Sequence, residues 1–345
     1  MKKTIFSYNF FTIGFCVIVF YLTIAFSGYL LVPNAYPNAA DLQLQQSLKK
    51  PMHKAYYLVE KKKVSFVDFW LKGKKVERLF IIDQENEVNP YVKNKFFAQA
   101  HAITFDSMKS LRFFDQKYEM KKITHYLGTD QYGRDVMSRT ILGTRISIVV
   151  GFASVLFSLI LGISLGLLAG FYRGWVDRLV LWIINVSWSL PTLLLAMVLV
   201  LSLGKGFWQI FVAIGLSMWV DIARIIRGEV LRLRELDFVK ASRVLGYSSI
   251  RTMLRHILPN LKGSIVVLAA ANFATAILLE SGLSFLGIGV QVPVASWGSM
   301  IRENYSFIAF GSPYLALSPG LSIVTLVVAF NFLSVGLRDY FDVKS

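Results

Sequence analysis

The 345-residue chain holds one cysteine, Cys16, and four histidines. No disulfide can form within it and no cysteine-based metal site. His53, His101, His125 and His256 offer no plausible metal cluster. A Gly-x-x-x-x-Gly-Lys-Ser/Thr phosphate loop is absent from the sequence, so this chain lacks that means of holding a nucleotide. Acidic residues are scarce, 21 against 37 Lys+Arg, for a formal net charge of +16. The excess is divided between a lysine-rich segment and a basic loop bounded by apolar runs. That distribution argues against nucleic acid as the partner.

What the chain has in quantity is apolar sequence, 55% of its residues, with a mean hydropathy of +0.53. A helix needs about 20 mostly apolar residues to cross a bilayer. Six stretches qualify: Phe10–Val32, Ile146–Phe171, Leu179–Leu203, Phe207–Ala223, Gly263–Leu279 and Pro319–Leu337. The first run is longer than the ~7–15 residues of a signal core and reads as a retained anchor. Ser318 before Pro319 predicts a capped helix start. The reading is an all-α polytopic membrane protein with six spans. Residues 1–32 form a tail and first span, 33–124 a small extracytoplasmic insert, and 125–345 a core of five spans with a loop at 224–262.

Basic residues in short loops set orientation. Lys2 and Lys3 place the N-terminus in the cytoplasm, and six spans return the C-terminus there, beside Arg338 and Lys344. Residues 33–145 then lie outside despite 20 Lys+Arg against 12 Asp+Glu; long loops are translocated largely regardless of charge. Lys75–Ile82 reads as a strand, and Phe96, Phe97, Phe113 and Phe114 add apolar content, so the insert is expected to be α+β or irregular.

Polar residues inside the apolar runs are candidates for function. Pro191, in Trp188-Ser189-Leu190-Pro191, predicts a kink in the third span, with Asn185, Ser187 and Ser189 beside it. Interhelical bonding is the plainer reading of these three, and of Asn331 in the sixth span. Glu280 ends the fifth span, near the outer interface, where snorkelling or a local hydrogen bond competes with a path role. Gly162, Gly166 and Gly170 share one helix face and predict close approach of another backbone.

The densest pattern is Asp237–Asn260, DFVKASRVLGYSSIRTMLRHILPN. It reads as two short helices with Gly246 at the corner. Ser248 or Ser249 caps the second helix and Pro259 ends it. Ile250, Met253, Leu254, Ile257 and Leu258 form one apolar stripe, with Arg251, Thr252, Arg255 and His256 facing away. A helix lying on anionic lipid would explain the stripe and the arginines, but not the hairpin form.

Ala241, Gly246 and the His256–Asn260 ending resemble the cytoplasmic coupling loop of type I ABC importer permeases. His125-Tyr126-Leu127-Gly128-Thr129-Asp130, Gly133-Arg134-Asp135, Ser138-Arg139 and Gly143–Ser147 resemble the lead into the second span in the oligopeptide/dipeptide/nickel branch. Leu283–Gly287, Gly289-Val290 and Ser296-Trp297-Gly298 resemble that branch after the fifth span. The resemblance covers about residues 125–300 and is to the C-type subunit. It implies the type I permease fold and transport rather than catalysis. It also implies a second permease subunit, giving a heterodimer, with two ABC ATPase subunits and an extracytoplasmic solute-binding protein. ATP and magnesium would be held by the ATPases, and no cofactor or metal by this chain. Docking would fall to Asp237, Lys240, Ala241, Ser242, Gly246, Tyr247, Ser248, Arg251, His256 and Pro259, and the path to Asn185, Ser189 and Glu280. Lys240 departs from the family's pattern, which carries a glutamate there. An ion- or proton-coupled secondary transporter is the competing class. It predicts intramembrane ionisable residues and internal repeats; only Glu280 and Asp221 qualify, and no repeat is evident.

Overall fold

A computed structural model describes residues 9–62, 64–75, 78–82, 118–204, 206–291 and 293–342. Lys2, Lys3, Lys63, Phe96, Phe97, His101, Phe113, Phe114 and Lys344 lie outside the described residues. The chain divides into two compact units, one of Met1–Leu22, Ser147–Gln291 and Leu321–Ser345, the other of Thr23–Ile146 and Val292–Gly320. The second unit is broader than the 33–124 segment, because residues 125–146 and 292–320 pack with it.

Long apolar helices dominate the first unit. They are α1 (Asn9–Ser27), α3 (Val136–Tyr172), α6 (Phe207–Leu233), α9 (Lys262–Phe285) and α11 (Tyr314–Asp342), of which α1, α3 and α11 also contribute residues to the second unit. Each is long and apolar enough to cross a bilayer. The 37 residues of α3 extend about 55 Å.

The third predicted span is not one straight helix. The chain forms α4 (Gly174–Trp188) and α5 (Thr192–Leu203), bent by 95°. Pro191 has no N–H and disfavours helical geometry at Leu190, so it becomes the N-cap of α5 and the predicted kink is a full break. Ser189 Oγ donates to Val186 O at 2.6 Å, taking up a carbonyl at the break. At about 18 Å, α5 alone is too short to span. Among the described residues the count is five helices, or six with the bent pair as one span.

Two predicted helix ends are also corrected. The last helix begins at Tyr314, and Pro319 lies inside it. Backbone bonds to Ser312 O and Pro313 O build its first turn, so Pro319 forfeits only the bond to the carbonyl four residues back. Ser318 does not cap; its hydroxyl meets Thr140 Oγ1 at 3.2 Å. Likewise Pro259 does not end the hairpin's second helix. A π turn (Met253–Ile257) and a 3-10 turn (Leu258–Leu261) carry the chain past it into α9. The wider turn re-spaces the carbonyls where the proline ring would otherwise collide.

The three glycines of α3 explain how α6 packs. A Cβ on Gly162 would stand 2.6 Å from Ile222 Cβ, on Gly166 2.7 Å from Ala223 O, and on Gly170 2.7 Å from Val230 Cβ. Those distances are below any real contact, so glycine is what lets the helices touch along three turns. Asn331 donates to Val327 O of its own helix at 3.1 Å.

The second unit contains a three-stranded antiparallel sheet in the order β2–β1–β3, from β1 (His53–Glu60), β2 (Arg78–Ile82) and β3 (Tyr118–His125). Of the strand expected at Lys75–Ile82, Arg78–Ile82 forms, and Val76 and Glu77 lie outside the described residues. Ala55, Tyr57, Val59 and Ile123 make the sheet's buried face. Among the described residues this unit also holds helices α2 (Phe66–Lys72) and α10 (Trp297–Asn304).

Candidate functional site

The hairpin begins with α7 (Asp237–Val244), with Asp237 in its first turn, where a carboxylate favours the helix dipole. It ends in a Schellman arrangement: Tyr247 N–H donates to Ser242 O at 3.1 Å across Gly246, whose φ is +76°. Only glycine takes that left-handed conformation without strain. Ser248 then caps α8 (Ser249–Thr252), accepting from Arg251 N–H at 3.4 Å.

One side of the hairpin is fastened down. Val239, Met253, Ile257 and Leu261 join Leu167 and Phe171 of α3 and Ile226, Val230 and Leu233 of α6 in one buried cluster. Arg234 donates to Phe171 O at 2.6 Å. Ser242 and Thr252 are buried, and their hydroxyls meet at 3.3 Å. Thr252 thus faces inward, against the sequence expectation.

The apolar stripe divides as well. Met253 and Ile257 are buried, but Ile250 and Leu254 are 62% and 52% exposed, and beside the corner Val244 and Leu245 are 89% and 70% exposed. The π turn carries more residues per turn than an α-helix, so a pattern regular at 3.6 cannot keep to one face through it. The outcome is a crest of four exposed apolar side chains on an anchored base. Arg251 stands 4.6 Å over the Tyr247 ring, and that ring stacks on His256 at 5.6 Å. Asn260 donates to His256 O at 2.6 Å. Lys240 and Ala241 are exposed, with Lys240 Nζ 4.0 Å from Glu235. Pro259 is exposed on the same connection.

The remaining site residues are placed differently from one another. Asn185 is exposed on α4 and Ser189 is exposed at its C-cap. Glu280 is fully buried on α9, with Ser284 Oγ donating at 2.8 Å and Ser147 Oγ at 3.3 Å. Snorkelling is therefore excluded for Glu280, since buried hydroxyls take up its oxygens. Ser284 Oγ also accepts from Val290 N–H at 3.2 Å, tying the Leu283–Gly289 motif into a turn. Sequence reading missed the links between α4 and α6. Arg227 grips Asp177 with two bonds of 2.5 and 2.7 Å, Trp188 Nε1 donates to Asp221 at 2.9 Å, and Arg224 lies 4.1 Å over the Trp188 ring. The spacing of Asp221, Arg224 and Arg227 by three was the available signal.

The motif preceding the second predicted span is a buried polar knot. Asp135 caps α3, accepting from Ser138 N–H at 2.7 Å, and holds His125 Nδ1 at 2.8 Å; Tyr57 Oη meets the other ring nitrogen at 3.1 Å. Asp130 accepts from the Tyr132 and Arg134 amides and from Arg134 Nε at 2.7 Å. Glu303 of α10 bonds both Arg134 and Arg139, the latter at 3.2 Å. Trp297 is fully buried and donates to Thr140 O at 2.9 Å. Among the described residues no group of three His, Cys, Asp or Glu side chains is placed to hold a metal ion.

Residues 162–344 match the family described as binding-protein-dependent transport system inner membrane component. The glutathione transport system permease protein GsiD of Pectobacterium atrosepticum is 39% identical over 231 residues, 67% of this chain and 76% of that one. The dipeptide transport system permease protein DppC of Alkalihalophilus pseudofirmus is 40% identical, covering 64% and 72%. The oligopeptide transport system permease protein OppC of Bacillus subtilis is 38% identical over the same shares. In fold, the chain is similar to a chain of the inward-facing MetNI methionine ABC transporter, with a TM-score of 0.50 and 20% identity over 60% of this chain and 97% of that one.

Proposed function

The chain belongs to the binding-protein-dependent transport system inner membrane component family and is a multi-pass ABC importer permease subunit, and from that premise we propose that it imports peptides and receives its drive through the Asp237–Pro259 hairpin. The crest of Val244, Leu245, Ile250 and Leu254 carries this reading. Four large apolar side chains exposed beside one turn, on a base sealed into α3 and α6, are what a protein partner buries. A lipid-surface helix would turn its stripe one way; here the stripe is half anchor, half crest. The partner is an ABC ATPase, two copies of which hold ATP and magnesium below a heterodimer of this chain and a second permease. An extracytoplasmic solute-binding protein delivers the ligand, the N- and C-termini lie in the cytoplasm, and the membrane is the bacterial inner membrane. Hydrolysis belongs to the ATPases.

Peptide is the substrate class because dipeptide and oligopeptide permeases stand among the relatives at about 40% identity. Asn185 and Ser189 are path candidates by their exposure at the C-terminal end of α4, while the burial of Glu280 suits it to positioning α3 against α9. The test is Leu245→Asp with Leu254→Asp. The pair should abolish co-purification of the ATPase while the permease still inserts and pairs with the second permease. Retention of the ATPase by that variant would sink the docking assignment.

A further inference from the structure

We propose that α2, which precedes the residues of the family match, lies in the bilayer interface beside the Ser27 end of the first span and binds anionic phospholipid there. Its seven residues, FVDFWLK, are two-faced. At 100° per residue Phe66, Trp70, Val67 and Leu71 cover one arc, and Asp68 and Lys72 the opposite side. Phe69 turns into the protein beside Tyr29 and Val32. Phe66, Val67 and Leu71 remain 69%, 59% and 52% exposed.

The depth of this exposed face is set by bonds to the end of α1. Trp70 Nε1 donates to Phe26 O at 2.7 Å, and the two rings stand 4.9 Å apart. Arg145 clamps both elements at once, donating to Ala25 O at 2.6 Å, Phe26 O at 3.0 Å and Trp70 O at 2.9 Å. Helix α2 is thus held at the last turn of a helix that is apolar from Asn9 to Leu30. That is the level where tryptophan and amphipathic helices settle in a bilayer. Lipid is the occupant because the exposed face of α2 continues the exposed apolar surface of Phe26 and Leu30.

A pocket of about 530 Å³ adjoins the same edge, with Val32, Phe69 and Ile123 in its wall and Lys74 and Lys121 among its lining. Lys121 pairs with Tyr57 across the sheet and so shares the face of Ala55, Tyr57 and Val59. Lys122 turns to the other face, 5.6 Å over Tyr56. A lining that mixes Lys74, Lys121 and Lys122 with apolar residues suits a phosphate headgroup with its acyl chain alongside.

The experiment labels Leu71→Cys or Asp68→Cys with an environment-sensitive fluorophore in a Cys16→Ser background. The chain is assembled with its partner subunits, their cysteines substituted, in phosphatidylcholine vesicles with or without phosphatidylglycerol. The label at 71 should emit to the blue, lose most of its intensity to lipid carrying a nitroxide near the headgroup, and resist aqueous iodide. The label at 68 should do the reverse. Phosphatidylglycerol should increase the nitroxide quenching at 71, and Lys74→Gln with Lys121→Gln should remove that increase alone. Equal iodide quenching at both positions would overturn the interfacial placement, as would shielding of 71 only when a solute-binding protein is added. Indifference to phosphatidylglycerol would overturn the lysine assignment. Transport is not the readout, so failure here leaves the peptide-importer reading standing.

Discussion

The hairpin around Gly246 and the knot around Asp130 break the ordinary burial rule in opposite ways. The hairpin exposes Val244, Leu245, Ile250 and Leu254, whereas the knot buries Asp130, Arg134, Asp135 and Arg139. In the knot, Asp130 and Glu303 face Arg134 and Arg139, and His125 lies between Asp135 and Tyr57. Buried charge is retained because its counter-charges are supplied from within. In the hairpin none of the described residues covers the crest, which is what a surface awaiting a partner looks like. Polar residues inside and apolar residues outside therefore mark, respectively, a self-sufficient scaffold and an incomplete interface.

That contrast can be broken in order of effect. Glu303→Ala strips the shared acceptor from two buried guanidinium groups and should cost about 3–5 kcal/mol, read as a lowered melting temperature of the purified assembly. Adding Arg139→Met should recover part of the loss, because the cost lies in stranding a charge; if the double variant melts lower still, the knot is not held by charge balance. Gly246→Val places a β-branched residue at φ +76° and should cost about 1–3 kcal/mol locally. With none of the described residues within 4 Å of a Cβ added there, the cost is one of backbone conformation and not of collision with a neighbour. Uptake should fall while ATP hydrolysis persists, and normal uptake would count against the lever. Lys240→Glu has the smallest expected effect. The pair with Glu235 is exposed and 4.0 Å long, so stability should change by less than about 1 kcal/mol, and only affinity for the ATPase should shift. A large change in melting would mean that Lys240 does more than face a partner.

Much of this was legible in particular residues. Uncharged runs marked the spans, because lipid tolerates few charges. The spacing of Gly162, Gly166 and Gly170 announced a close contact, and Gly246 its corner. Prolines were read unevenly: a kink was legible at Pro191, but not what Pro259 and Pro319 would do. Pro191 broke a span by 95°, Pro259 was absorbed by a π turn, and Pro319 entered a helix whose first turn was already built. Proline dictates what its own backbone cannot do, but not which of several neighbouring devices answers it: Ser189, a wider turn or a preceding turn.

Sequence alone determined that the chain spans a membrane several times and where its hairpin and branch motifs lie, because apolar run length and glycine placement act locally. Tertiary structure alone decided which half of the hairpin stripe is buried, that Glu280 meets Ser147, and that Glu303 joins Asp130 in balancing Arg134 and Arg139. These pairs lie up to 169 residues apart. Burial and charge balance are properties of what comes to stand next to a side chain, and no local spacing records that.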